Sequence, residues 1–271
     1  MLAIAGIQMG CGPDRRANLE KAVGLGRIAA ERGAKVICLP ECFAWPWFPQ
    51  KAEQSQFATA ELVPGAVSEA IAAFAREREV VVVAPIFERG SNHVCYSTAL
   101  VFDADGTLLG RYRKNHIPQL LNYQEKFYFH PGNKGFPVFR TRYGAIGVQI
   151  SWDNFFPEGS RLLALAGADV VFAPMAASVA ASHAKWQRAI EANAIYNGFF
   201  VFRVNRVEGE DGLPFYGKSF CADPNGDFVV EPSGASEGVI LAEIDMKWVK
   251  AVREAWPFMH DRRPEIYKEL S

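Results

Sequence analysis

The sequence predicts a single α/β domain built from mixed sheets with helices on their outer faces, and three observations carry that expectation. Strand-like and helix-like patterns alternate along almost the whole chain. Two turns of Asp-Gly or Asn-Gly type stand where strands would fold back on themselves. No linker, low-complexity tract or obvious repeat divides the 271 residues. A chain of this length buries a large core, and α/β folds of this size are commonly one domain, here 1–271.

Taken in order, Ala3 to Met9 reads as a strand, Asp14 can cap a helix running to about Arg32, and Lys35 to Pro40 is a short buried strand. Residues 42–64 form an aromatic, proline-containing loop that opens CFAWPWFPQ; its Trp45, Pro46, Trp47 and Phe48 are either pocket wall or core. A helix pattern at about 65–78 leads into the apolar strand EVVVVAPIFE. The hairpin VCYSTALVFDADGTLLGRYRK follows, turning at Asp105-Gly106. After a long loop, AIGVQI is a buried strand, FPEGSRLLALAGA has helical spacing, and DVVFAP is a strand again. A helix over 184–197, the strand FFVFRVNRV, a hairpin around Asp223-Pro-Asn-Gly226 and the strand GVILAEIDM complete the domain. From about residue 247 the chain becomes charged and aromatic, ending WPFMHDRRPEIYKEL, which suits a tail packed on a surface or on a partner subunit.

Composition excludes several classes of function. With 49% hydrophobic and 22% charged residues the chain is an ordinary soluble globular protein, and a net charge of −1 gives no reason to expect nucleic acid or an anionic membrane as partner. The start, MLAIAGIQMGCGPD, has no basic stretch and too short an apolar one for a signal peptide; the longest apolar run, Val80 to Phe87, is far short of a membrane span. Five cysteines, Cys11, Cys38, Cys42, Cys95 and Cys221, show neither disulfide nor zinc spacing, which fits a reduced cytoplasmic protein. No phosphate-binding loop, dinucleotide fingerprint or metal motif is present, so no cofactor and no metal are expected.

Three strand ends carry polar residues. Glu41 ends LPE, Lys114 lies in GRYRKNHIP, and Ser151 lies in QISWD before a helix pattern. Each alone has a plain explanation: a solvated carboxylate, a surface lysine, a helix-capping serine. Taken together, with IAGIQM, YQEKFYFHPGN, SWDNFFPEGSR, VNRV and SFCADPNG around them, the chain resembles the nitrilase or carbon–nitrogen hydrolase superfamily over nearly its whole length. The motifs look most like N-carbamoylputrescine amidases and their amidase relatives. Typical nitrilases carry glutamate where Asp153 stands. The resemblance fails at one position, since the expected Cys-Trp-Asp reads Ser-Trp-Asp.

The resemblance implies a four-layer αββα sandwich, a homodimer or larger assembly, and a Glu-Lys-Cys mechanism. Glu41 would be the general base, Lys114 and the backbone N–H of Trp152 would hold the oxyanion, and the residue at 151 would be the nucleophile on a strand-to-helix turn. Glu125 in YQEKFYF matches a second glutamate of the family that would position Lys114 or substrate. Trp47, Trp152, Met175 and Ala176 are the expected substrate-binding residues.

Ser151 does not suit this set. A hydroxyl is far less acidic than a thiol, whose reference pKa is about 8.5, and QISWD is not a Gly-x-Ser-x-Gly elbow. His116 and His130 flank the site loop, but they read as structural hydrogen-bonding residues. Three readings follow: a replaced cysteine nucleophile, a natural non-enzyme that binds ligand, or a serine hydrolase. The retention of Glu41, Lys114 and Glu125 favours the first. As substrate, carbamoyl amino acids are disfavoured because Asn154 and Phe155 stand where relatives acting on them carry arginines. MAASVAASHA offers no acid for a polyamine ammonium, so a neutral or weakly polar acyl group fits best.

Overall fold

Strands that are apolar on both faces need cover on both sides, and here each sheet is covered by the other sheet on one face and by helices on the other. The structure, a computed structural model, describes residues 1–210 and 212–268. The first half contains β1 (Leu2–Gln8), α1 (Arg15–Glu31), β2 (Val36–Cys38), α2 (Ala66–Arg78), β3 (Val81–Arg89), β4 (Cys95–Phe102) and β5 (Leu108–Arg113), then a short α3 (Glu125–Tyr128). The second half contains β6 (Phe139–Thr141), β7 (Gly144–Val148), α4 (Pro157–Leu165), β8 (Val170–Pro174), α5 (His183–Asn197) and β9 (Phe200–Val204). It continues with β10 (Val207–Glu210), β11 (Leu213–Tyr216), β12 (Phe220–Ala222), β13 (Phe228–Val230), β14 (Gly238–Ile244) and α6 (Met246–Ala255).

Two six-stranded sheets result, in the orders β14-β1-β2-β3-β4-β5 and β13-β12-β9-β8-β7-β6, with β10 and β11 forming a separate hairpin. Both sheets have the same plan. Three parallel strands (β1, β2, β3 in one, β7, β8, β9 in the other) are flanked by antiparallel neighbours. The alternation of side chains sorts each strand between two cores. Ile4, Val81, Val83, Val170, Phe172 and Phe202 meet between the sheets. Ala5, Ile7, Ile37 and Val82 instead face Ala22, Ile71 and Phe74 of α1 and α2, while Val171, Ala173 and Val201 face Leu163, Trp186 and Ile190 of α4 and α5. The layers are therefore α, β, β, α, the sandwich that the resemblance implies. Gly6 of β1 permits the close approach of the sheets, since a Cβ there would lie 2.7 Å from Val204 Cγ2.

The element boundaries fall close to those expected. Asp14 caps α1 by accepting from Arg16 N and Ala17 N at 2.9 and 3.3 Å. The turn at Asp105-Gly106 joins β4 to β5, with Gly106 at φ +85°. Four features differ from the sequence reading. Ser151–Phe155 is a 3-10 turn, and the α-helix begins only at Pro157. The edge strand β6 and the β10–β11 hairpin were not foreseen. Nor was α6, which lies within the expected tail, packs Val249 into the inter-sheet core and also buries Val252; beyond it Trp256, Ile266 and Tyr267 remain exposed. Among the described residues no helix is long and apolar enough to cross a membrane, and no cluster of His, Cys, Asp and Glu could hold a metal.

Candidate active site

Loops after β2, β5 and β7 and the short α3 bring the expected residues together. Glu41 and Ser151 each lie three residues beyond a parallel strand, β2 and β7 respectively, and Lys114 directly follows β5. Lys114 is pinned by its backbone: its N–H donates to Ser97 O at 2.9 Å, and its carbonyl accepts from Gly132 N at 2.8 Å. The Lys114 ammonium donates to Glu41 Oε1 at 3.0 Å and to Glu125 Oε2 at 2.5 Å. Glu41 and Lys114 have no exposed side-chain surface and Glu125 has 1%. Burying three charges is costly unless they are paired and hydrogen-bonded, and two carboxylates on one ammonium leave a net charge of −1.

That imbalance governs protonation. Burial pushes the Glu125 carboxyl up to about 8, against the pull of Lys114 and with a further push from Glu41. Burial works to lower the Lys114 pKa, but Glu125 and then Glu41 together raise it above its ordinary value. Both shifts describe one state, a charged lysine beside a Glu125 carboxyl that holds its proton near neutrality. Glu41 is asymmetric. Its Oε1 accepts from Lys114 and from Ser97 Oγ at 3.0 Å, whereas its buried Oε2 accepts nothing among the described residues.

A buried guanidinium fixes the Glu41 loop. Arg206 donates to Glu41 O at 3.0 and 2.9 Å, to Cys42 O at 2.6 Å and to Trp45 O at 2.9 Å. It thereby holds a turn in which Cys42 has φ +50°. On the nucleophile side, Asp153 accepts from Tyr112 OH at 2.5 Å and from His116 N at 2.8 Å, and its Oδ1 lies 2.7 Å from His116 Nδ1. Asp153 therefore ties the end of β5, which carries Lys114, to the turn that carries Ser151. His116 stacks on Phe156 with ring centroids 3.6 Å apart, and His130 packs against Tyr96. No hydrogen bond joins either histidine to Ser151 among the described residues, in keeping with their structural reading.

Ser151 does not cap a helix. It lies inside its turn at φ +45°, a left-handed conformation that a non-glycine residue adopts only when its surroundings impose it. The backbone N–H of Trp152 lies in the first turn of that 3-10 segment, where N–H groups have no acceptor within the helix. Ser151 and Glu125 line a cavity of about 240 Å³, whose walls include Trp152, Phe155, Trp186, Ala176, Ala177 and Leu120. Ser151 retains 7% exposure while Glu41 and Lys114 have none.

Of the expected substrate-binding residues, Trp152 and Ala176 line this cavity and Trp47 and Met175 do not. Trp47 packs behind the wall, 5.5 Å from Tyr123 and 6.4 Å from Phe215 between ring centroids, with its Nε1 donating to Asn122 O. Met175 directly follows β8 and is buried against the α4–α5 layer. Trp45 and Phe48 are core. Sequence reasoning missed Ser97, Tyr123, Lys185 and Trp186, and it quoted Arg206 without a role. The available signal for Arg206 was two arginines, with Asn205, in an otherwise apolar stretch, FFVFRVNRV. Lys185 stands one residue past the segment read as the loop.

The carbon–nitrogen hydrolase family profile matches residues 2–254. The chain belongs to the carbon–nitrogen hydrolase family. This carbon–nitrogen hydrolase is 36% identical to an N-carbamoylputrescine amidase of Solanum lycopersicum, across 100% of this chain and 95% of that one. It is 34% identical to a citrullinase of Francisella tularensis, across 99% and 98%. A carbon–nitrogen hydrolase structure from Helicobacter pylori has the same fold, with a TM-score of 0.95 at 29% identity over 99% of this chain and 98% of that one.

Proposed function

We propose that this carbon–nitrogen hydrolase cleaves a non-peptide C–N bond of a small amide, carbamoyl compound or nitrile through a covalent intermediate at position 151, where serine stands in for the nucleophilic cysteine. The observation that carries the reading is Glu41 Oε2, a buried carboxylate oxygen without a donor. Buried acceptors are ordinarily satisfied, and a thiol at 151, or the water that later hydrolyses the intermediate, supplies a donor that arrives with the chemistry.

For an amide the sequence of bonds is as follows. The thiol proton passes to Glu41, and the thiolate attacks the carbonyl carbon. The oxygen that becomes negative is met by the Lys114 ammonium and the Trp152 N–H. The C–N bond breaks as Glu41 returns the proton to the departing ammonia. Water, deprotonated by Glu41, then splits the thioester to the acid and restores the thiol. Glu125 shares the Lys114 ammonium and borders the cavity, so it positions the lysine and faces the substrate. No cofactor enters any step.

With serine at 151 the first proton transfer is unfavourable, because a hydroxyl is far weaker as an acid than a thiol and neither histidine nearby bonds to it. A ligand-binding protein of the same fold is the second reading, supported by that serine; a serine hydrolase is the third. Free, buried cysteines support a reducing compartment such as the cytoplasm. Assembly through α4 and α5 is supported by the exposed Leu162, Leu165, Ile195 and Tyr196, with the segment beyond α6 as a further contact. The test of mechanism is made in a Ser151→Cys background: ammonia release from primary amides should vanish on thiol alkylation and on Glu41→Gln or Lys114→Ala. Full activity in either variant would refute these roles.

A further inference from the structure

Residue 151 is held at φ +45°, a left-handed conformation that a side-chain-bearing residue keeps only when something holds it there. One side chain of the same turn is placed to do so. Asn154 is buried, and its Nδ2 donates to Ser151 O at 2.9 Å and to Gln149 O at 3.0 Å. It thereby fastens the peptide after Gln149, just beyond β7, to the peptide after Ser151. Two carbonyl partners also settle which end of the amide is the nitrogen. Asn154 is steadied in turn from the helix layer, because Asn193 Nδ2 on α5 donates to Asn154 O at 2.9 Å. Its own Oδ1 is buried and accepts nothing among the described residues. An unmet buried oxygen costs stability, and leucine would fill a similar space without one, so the amide is there for its nitrogen. Asn154 does not line the cavity, though Phe155 beside it does, so it acts on the reacting centre through the backbone.

The consequence comes from the planarity of the peptide. Ser151 O and the Trp152 N–H belong to one trans peptide unit, in which the two point in opposite directions. Holding the oxygen therefore aims the hydrogen. We infer that Asn154 is a positioning residue of the reaction. By holding the 151–152 peptide it keeps the side chain of residue 151 on the cavity and the Trp152 N–H turned towards the oxyanion. The inference rests on the amidase reading of the cavity and adds to it the residue that sets the nucleophile turn. It also gives position 154 a task other than contact with a substrate carboxylate.

The experiment adds Asn154→Leu, which keeps the bulk and loses the donor, Asn154→Asp, or Asn197→Ala to the Ser151→Cys protein. The last loosens the same buried network one turn farther along α5, where Asn197 Nδ2 donates to Asn193 O. Ammonia release gives kcat and KM. Iodoacetamide labelling of residue 151, read by mass spectrometry of its peptide, reports the thiol without any substrate. Asn154→Leu should lower kcat roughly ten- to hundredfold with KM within about twofold, the scale of a misaimed oxyanion donor. It should also slow the labelling several-fold. Asn154→Asp should lose as much at pH 8 and regain part of it, relative to the parent, at pH 6, because a protonated carboxyl can donate to one carbonyl. Asn197→Ala should lower the urea midpoint and leave kcat within about twofold. A kcat for Asn154→Leu like the parent's, unchanged labelling, no recovery in Asn154→Asp, or an equal loss in Asn197→Ala overturns the inference. If the Ser151→Cys protein hydrolyses nothing, the amidase reading fails, and slower labelling in Asn154→Leu still shows that the amide sets residue 151. If it hydrolyses amides and Asn154→Leu does so equally well, the inference fails and the amidase reading stands.

Discussion

Replacing Lys114 with methionine removes a cation bonded to two buried carboxylates, and its effect on stability can be worked from the geometry. Nζ lies 3.0 Å from Glu41 Oε1 and 2.5 Å from Glu125 Oε2, with at most 1% of any of these side chains exposed. Removing one partner from a buried ion pair costs about 3–5 kcal/mol, because a desolvated charge is left behind. The carboxylates can escape that penalty by taking up a proton, so the loss depends on pH. An unfolded glutamate titrates near 4.5, whereas burial already pushes Glu125 up to about 8 with the lysine present. Without Lys114 the folded pair holds one proton more than the parent does above about pH 4.5. Since the folded state then binds more protons than the unfolded one, stability falls as pH rises, by about 1.4 kcal/mol per pH unit.

From pH 5 to pH 7 the variant should therefore lose roughly 3 kcal/mol relative to the parent, in line with the pair estimate above. In urea, with a slope of about 3 kcal/mol per molar, that is a shift of about 1 M in midpoint, read by tryptophan fluorescence. Adding Glu125→Gln to Lys114→Met should recover most of it. A midpoint difference that is the same at pH 5 and pH 7 would refute the argument that these groups form one buried titrating unit.

Two other expectations follow from separate parts of the structure. Arg206→Lys, made in the Ser151→Cys background, should lower kcat by at least about tenfold with KM within about twofold, because a lysine cannot span the carbonyls of Glu41, Cys42 and Trp45 that the guanidinium joins; a KM change without a kcat change would contradict its positioning role. Light scattering at micromolar concentration should find a dimer or larger particle that Leu162→Glu with Leu165→Glu splits, and a monomeric parent would remove the case for pairing through α4.

The fold was legible wherever burial repeats with a simple period. β3, β4, β8 and β9 are apolar on both faces because both faces are covered, and α1 announces itself through Asp14. The 10-residue α6 was missed because its apolar residues are interleaved with Lys247, Lys250, Arg253 and Glu254, and only Val249 and Val252 are buried. The site residues Glu41, Lys114, Glu125 and Ser151 were named from motif resemblance, but periodicity cannot say that loops after β2, β5 and β7 converge. The partners that fix them are less legible still. Ser97 reads as one more residue of a buried strand, and Arg206 looks out of place until the backbone carbonyls it clamps are known. Trp47 and Met175 were assigned to the pocket by their neighbours in sequence, whereas Tyr123 stands between Trp47 and the cavity and Met175 points into the α4–α5 layer.

The central claim is that position 151 is the place of a cysteine nucleophile. Its most direct measurement is ammonia release from a panel of amides, carbamoyl compounds and nitriles by two proteins, the chain as it stands and Ser151→Cys. The account predicts almost no release from the first and a gain of several orders of magnitude in the second, because Glu41 and Lys114 already stand ready to ionise a thiol and hold its oxyanion. Full activity with serine, together with labelling of Ser151 by a serine-directed acylating reagent, would contradict it, and so would an inactive Ser151→Cys protein across the whole panel.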